Sequence, residues 1–190
     1  ALTIGNFDGV HRGHQALLQK LVHQARQKEL QSCVMTFEPH PIEYFSPDKA
    51  PSRVLGLRDK LQALQATGVD RVLVEHFNQA FASLSPDDFV QTMLVKGLQV
   101  RYILIGDDFH YGAKRAGNFQ SLVDSGKRWG FEVDRMDTLA EQGLRISSSA
   151  TRAALTSGDL ELTRSLLGRP YAISGHVLHG QKLGRDLGFP

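Results

Sequence analysis

Cysteine is almost missing from this sequence: Cys33 is the only one among 190 residues. An intramolecular disulfide is excluded, which suits a reducing compartment, and Cys33, inside the apolar run SCVMTF, is expected to pack in a core. Long hydrophobic runs are absent as well. No stretch approaches the roughly 18 apolar residues of a membrane span and no signal-peptide pattern occurs, so a cytoplasmic location without a membrane partner is expected. Charge of one sign is not in excess: 22 Lys and Arg stand against 20 Asp and Glu. The scattered basic residues argue against a nucleic-acid partner and leave a small anionic ligand open. Nothing in the sequence addresses the oligomeric state.

Familiar chemical signatures are missing too. There is no GxxxxGK(S/T) loop and no GxGxxG after a strand, which disfavours a P-loop kinase or a dinucleotide dehydrogenase. With neither an HExxH helix nor a CxxC pair, no protein-held metal is expected. The chain opens on Ala1, already inside a strand and without an initiator Met, so its natural start is expected upstream.

What is present reads as an α/β domain. Apolar content of 41% and charged content of 22% are ordinary for a globular chain. Five β-rich runs, ALTIG, SCVMTF, RVLVEHF, VRYILIG and FEVDRM, alternate with helix-period segments. Leu17, Leu18, Leu21, Val22 and Ala25 share one face and predict a helix from about Gly13 to Lys28. Leu57, Leu61 and Leu64 predict a second helix, ending at Gly68, and SPDDFVQTMLVKGL opens a third with Ser85 as N-cap and Pro86 in its first turn. This alternation predicts right-handed crossovers and a mainly parallel five-stranded sheet. Ligands of such sheets sit beyond the carboxyl ends of the strands, where GNFDGVHRGH, TFEPHP and GDDFHYG should meet. From about residue 170 the texture turns glycine-rich with period-two character, and a β-type second module is expected to begin there.

Two segments are suited to anions. In GNFDGVHRGHQ, glycines let a ligand approach the backbone, the following helix start offers unpaired N–H groups and a positive dipole end, and His11 and His14 add donors. In LRISSSATRAAL, Ser147 to Ser149 precede a helix with Arg152 one turn in, a second arrangement for phosphate. The plainer alternatives are a capping histidine with glycine turns, and a serine N-cap with a solvated arginine. For EPHP the alternative is a rigid turn ending a strand.

Taken together and in this order, GNFDGVHRGHQ, TFEPHP, GDDFHYGAKRAGN and RISSSATR resemble the bacterial bifunctional riboflavin kinase/FMN adenylyltransferase family, also called FAD synthetase. The resemblance covers essentially the whole chain. It implies a Rossmann-like nucleotidyltransferase fold over residues 1–170, and over 171–190 the truncated start of a β-type riboflavin kinase module whose Thr-Ala-Asn motif would follow Pro190. His11 and His14 match the HxGH motif that contacts ATP phosphates; Ile146, Ser147, Ser148, Ser149 and Arg152 match ISSTxxR, with Ser149 in place of the usual threonine. The implied catalytic residues are His11, His14 and Arg152. The implied ATP side comprises Gly5, Asn6, Phe7, Gly9, His11, His14, Arg145, Ser148, Ser149 and Arg152. The implied flavin side comprises Pro39, His40, Phe45, Asp108 and Phe109, and many relatives have Asn where this chain has Asp108.

By the same resemblance the substrates are ATP and FMN, the products FAD and pyrophosphate, and Mg²⁺ accompanies ATP. FMN's ionised phosphate is already a nucleophile, so positioning and charge neutralisation are the tasks left to the protein. The full-length protein is expected also to phosphorylate riboflavin, and this chain alone is expected not to. A nucleotidyltransferase using CTP or another acceptor, and a non-catalytic flavin or nucleotide sensor, are the rival readings.

Overall fold

The computed structural model describes residues 1–137, 140–141, 144–176, 178 and 187–188. All five expected strands form: β1 (Leu2–Ile4), β2 (Cys33–Glu38), β3 (Arg71–His76), β4 (Tyr102–Gly106) and β5 (Glu132–Met136). They pair in parallel in the order β3-β2-β1-β4-β5. The order reverses between β1 and β4, so the crevice of this α/β sheet opens beyond those two strand ends.

Strand alternation assigns the two faces. Leu2, Ile4, Met35, Ile103 and Ile105 pack with Phe89, Leu94, Leu122 and Phe131, under α4 (Gln79–Ala82), the helical segment Phe89–Gly97 that follows α5 (Pro86–Asp88), and α6 (Phe119–Trp129). The opposite side of the same strands contributes Val34, Tyr102 and Leu104, which meet Leu18 and Leu21 of α1 (Arg12–Gln27) and, around Val34, Leu64 of α3 (Leu57–Gln65) and Leu167 of α8 (Leu160–Leu167). Both faces are covered, as the apolar β4 run YILIG requires. Between β2 and α3 lies the short helix α2 (Pro41–Phe45), and a two-residue pair, β6 (Ala140–Glu141) with β7 (Leu144–Arg145), precedes α7 (Ser148–Thr156).

Local chemistry sets the boundaries. Helix α1 begins at Arg12 because the His11 side chain accepts the His14 N–H. Helix α6 is closed by a capping box between Asn118 and Ser121 and by Gly130 in the left-handed region, φ 78°. Within it, a Cβ on Gly126 would fall 2.4 Å from the Phe131 carbonyl oxygen, so no other residue fits. The helix expected from Ser85 starts as foreseen, with the Ser85 side chain accepting the Asp88 N–H. It differs from Phe89 to Gly97, where the backbone is π-helical. There the Thr92 hydroxyl donates to the Asp88 carbonyl at 2.6 Å.

After α8, residues 171–176 and 178 adopt neither helix nor strand. The rest of the expected β-type tail lies outside the described residues, apart from a turn at 187–188. Tyr171 packs against the cluster around Val10 and Leu167.

Candidate active site at the carboxyl edge of the sheet

The loop from Gly5 to Val10 leaves β1 and is held along its length. Phe7 and Val10 take positive φ, 49° and 40°, a costly conformation for bulky side chains that persists only where surroundings enforce it. The enforcement comes from polar contacts. Asn6 O accepts from the Thr36 hydroxyl (3.2 Å) and Lys60 Nζ (3.4 Å). Asp8 O accepts from the Ser148 hydroxyl (2.8 Å). Gly9 O and Val10 O accept from the Arg169 guanidinium at 2.8 and 3.1 Å, and Val10 O also takes the Gln15 amide at 2.8 Å.

This frame aims the start of α1 at the crevice. The His11 and His14 rings stack with centroids 3.6 Å apart and planes 16° from parallel, while Phe7 tilts against His14 at 5.0 Å. The glycine between them has a steric reason: a Cβ on Gly13 would sit 3.2 Å from the His11 ring and 3.3 Å from Ile146 O. Burial depresses the His11 pKa to about 4, and burial followed by the neighbouring His11 holds His14 well below the usual imidazole value. Both rings are therefore neutral near pH 7 and act as N–H donors. No acidic residue occupies the first turn of α1, leaving its positive end uncompensated.

A cleft of about 150 Å³ opens here, lined among others by His11, His14, Asp108, Met136, Arg145 and Ser147. It joins the start of α1, the ends of β4 and β5, and the approach to α7. Ser147 caps α7, its side chain accepting the Ala150 N–H. The exposed Ser149 follows it, and the exposed Asp108 lies at the cleft's outer side.

Arg152 is placed differently from a simple phosphate contact. Its guanidinium donates to Asp8 Oδ2 at 2.9 Å and, through Nε, to Ser52 O at 2.8 Å. The buried Asp8 carboxylate also accepts from the backbone N–H groups of Val54 and Leu55. Arg152 thus ties the β1 loop, the segment before α3 and α7 together, and it is not among the residues lining the cleft.

Loops after β2, β3 and β4 carry an aromatic row. Phe45, 64% exposed, meets Phe77 edge-on at 5.6 Å. From Phe77 the row runs through Phe81, Phe89 and Tyr111 to Phe109, every step 5.5 to 6.0 Å. The two aromatics named from sequence, Phe45 and Phe109, are its ends. Next to Phe45, Arg53 bridges Glu38 and Glu43, and pairing with Arg53 lowers the Glu43 pKa to about 2. Pro39 follows the cis Glu38–Pro39 peptide. His40 is only 5% exposed, its ring Nε2 lying 3.4 Å from Lys60 Nζ.

Sequence reasoning missed Asp8, Arg53, Lys60 and Arg169. Asp8 was visible inside GNFDG, and its apolar neighbours hint at burial. Arg169 carried no local signal for its contacts with the β1 loop, because Val10 and Gly9 lie 159 and 160 residues away.

Comparison with known proteins agrees with this arrangement. Residues 1–150 match the FAD synthetase family, and residues 167–190 match the riboflavin kinase family. A bifunctional riboflavin kinase/FMN adenylyltransferase of Escherichia coli K12 is 51% identical over 189 residues, covering 100% of this chain and 60% of the relative. One from Pseudomonas fluorescens is 50% identical over 188 residues, covering 99% and 60%. The chain thus spans about three-fifths of the length of these relatives. A crystal structure described as a macrolide-efflux protein from Streptococcus pneumoniae superposes with a TM-score of 0.82 at 27% identity, covering 100% of this chain and 62% of that one. Among the described residues of this chain, no helix is long and apolar enough to cross a membrane. With the motif-bearing loops gathered at one edge of a 3-2-1-4-5 parallel sheet and more than three-quarters of its residues matched, the chain belongs to the FAD synthetase family.

Proposed function

We propose that this chain is an FMN adenylyltransferase, moving AMP from ATP to FMN to give FAD and pyrophosphate. One observation carries the reading: His11 and His14, at the uncompensated start of α1, line a single cleft with Arg145, Ser147 and Asp108 where the sheet order reverses. An FMN phosphate oxygen forms the new bond to the α-phosphorus of ATP as the bond to the β-phosphate bridging oxygen breaks. The nucleophile is already ionised, so no side chain needs to take a proton. Neutral His11 and His14 donate N–H bonds to the phosphates alongside the α1 backbone, and Arg145, Ser148 and Ser149 complete the nucleotide side. Arg152 serves by fixing the Asp8 loop and stands one turn from the phosphates. Gly5, Asn6, Phe7 and Gly9 shape the backbone against which the nucleotide rests.

FMN is assigned to the aromatic row between Phe45 and Phe109, with Pro39, His40 and Asp108 beside it. Among the described residues no three His, Cys, Asp or Glu side chains gather as a metal cage. Mg²⁺ would arrive on the triphosphate with its waters, and Asp107, Asp108 and Asp137 are the carboxylates lining the cleft. Bound there, the ion would neutralise charge on the departing pyrophosphate. Residues 1–170 form the adenylyltransferase module in this reading and 171–190 begin a riboflavin kinase module, so chains that carry the second module whole would also phosphorylate riboflavin. The setting is cytoplasmic, with small molecules as partners.

The test is incubation of the purified chain with FMN, Mg²⁺ and either ATP or CTP, followed by separation of flavins and a pyrophosphate assay. FAD and pyrophosphate in equal amounts with ATP are expected. Binding of both ligands without pyrophosphate would favour a sensor, and turnover with CTP alone would move the chain to another nucleotidyltransferase.

A further inference from the structure

Helix α3 turns one charged side chain inward. Lys60 is 1% exposed and lies on the same helical face as the fully buried Leu64, where a Leu or Met would satisfy packing. Burying an ammonium is costly unless its donors are matched. Three acceptors meet its three N–H bonds: Asn6 O at 3.4 Å, Thr36 Oγ1 at 3.3 Å and His40 Nε2 at 3.4 Å. Among the described residues no carboxylate pairs with it directly. Burial lowers the Lys60 pKa, and Arg53 acts in the same sense, while Glu38, Asp8 and Glu43 favour the ammonium from farther away.

The three acceptors have one thing in common: they belong to β1's loop, to β2 and to β2's loop. We infer that Lys60 is a positioning residue for the flavin side of the reaction, its ammonium fixing the tautomer and orientation of His40 and coupling the FMN-side loop to the ATP-side loop at Asn6. An ammonium only donates, so the His40 Nε2 facing it is a lone pair, and the ring is neutral with its proton on Nδ1. Burial first, and then Lys60 itself, lower the His40 pKa, with Arg53 in the same sense and Asp8 and Glu43 opposing. The ring is thereby locked between the prolines of EPHP, and the His40 backbone N–H is fixed in turn by Glu43 Oε2 at 3.0 Å. A methionine at position 60 would fill the space and supply no donor.

This inference rests on the assignment of His40 to the flavin side, and the experiment separates the two. Nitrogen NMR of the histidine rings in the unliganded parent should show His40 with the proton on Nδ1 and a titration midpoint below the usual imidazole value. A proton on Nε2, or a cationic ring at neutral pH, would overturn the Lys60 assignment without any variant. Lys60→Met should release the tautomer, raise the His40 midpoint, and raise KM for FMN by about tenfold with KM for ATP changed less than about twofold. Lys60→Gln, a neutral donor, should lie between. Thermal unfolding checks that each variant folds. In a His40→Ala background, Lys60→Met should add no more than about a further twofold to KM for FMN. Equal losses in both backgrounds, or equal rises in both KM values, would make Lys60 merely structural and refute the proposal. His40→Ala with a parental KM for FMN would instead refute the flavin-side assignment of His40.

Discussion

Replacing Asp8 with Asn tests the crosslink that holds the site's loops. The Asp8 side chain is 3% exposed; Oδ1 accepts from the N–H groups of Val54 and Leu55 at 3.0 and 3.2 Å, and Oδ2 from Arg152 at 2.9 Å. Asparagine can keep the backbone contacts through its one oxygen, which turns its NH₂ toward the guanidinium, donor against donor. Breaking a buried ion pair by removing one partner costs about 3–5 kcal/mol. The Arg152 side chain is 23% exposed and partly solvated, so the lower end, about 3 kcal/mol, is expected. For a domain of this size that is a fall in Tm of roughly 6–12 °C. Urea unfolding of Asp8→Asn, Arg152→Met and the double variant closes a cycle, in which the double variant should be more stable than the sum of the singles implies by about 2 kcal/mol. Additive singles, or Asp8→Asn within about 2 °C of the parent, would refute the crosslink.

Phe45→Ala should raise KM for FMN severalfold and leave KM for ATP near the parental value, because it removes a largely exposed ring from the end of the aromatic row; steady-state kinetics with each substrate varied would show it. Stability should fall as pH drops from about 7 toward 5, since His11 and His14 have folded pKa values below the unfolded value near 6.5, and the unfolded chain takes up protons first. The slope approaches about 1.4 kcal/mol per pH unit for each histidine and flattens for His11 near pH 4, and urea midpoints across this range should become shallower in His11→Gln. Thr3→Val should leave stability unchanged or raise it by up to about 1 kcal/mol, because the buried Thr3 hydroxyl has no partner among the described residues; a loss of more than about 1 kcal/mol in urea unfolding would reveal an unseen acceptor.

The sheet was legible because its information is local. Val34, Met35, Ile103 and Leu104 are buried on opposite faces of strands that read as continuous apolar runs, and the loops carrying His11, His40 and Asp108 had to share an edge once the strands were parallel. Helix α1 was legible from its 3.6-residue period, to within one residue at each end. What stayed hidden is what depends on partners distant in the chain. Arg152 reaches Asp8 across 144 residues and Arg169 reaches Gly9 across 160, and periodicity carries no trace of either. The period of Leu57, Leu61 and Leu64 gives no sign that Lys60 points inward, which only packing shows. The π-helical stretch at Phe89–Gly97 was hidden because its apolar pattern reads as an ordinary helix.

Single-turnover adenylylation of FMN with saturating ATP, comparing the parent with His14→Ala, tests most directly whether the α1 start performs the phosphate chemistry. The ring lines the cleft, and its loss removes a positioned donor without disturbing the loop contacts of Asp8, Gly9 and Val10. The account predicts a rate lower by about 10² to 10³ with little change in FMN binding. A rate within a few-fold of the parent would contradict it and send the search for the reacting phosphates elsewhere on the sheet edge.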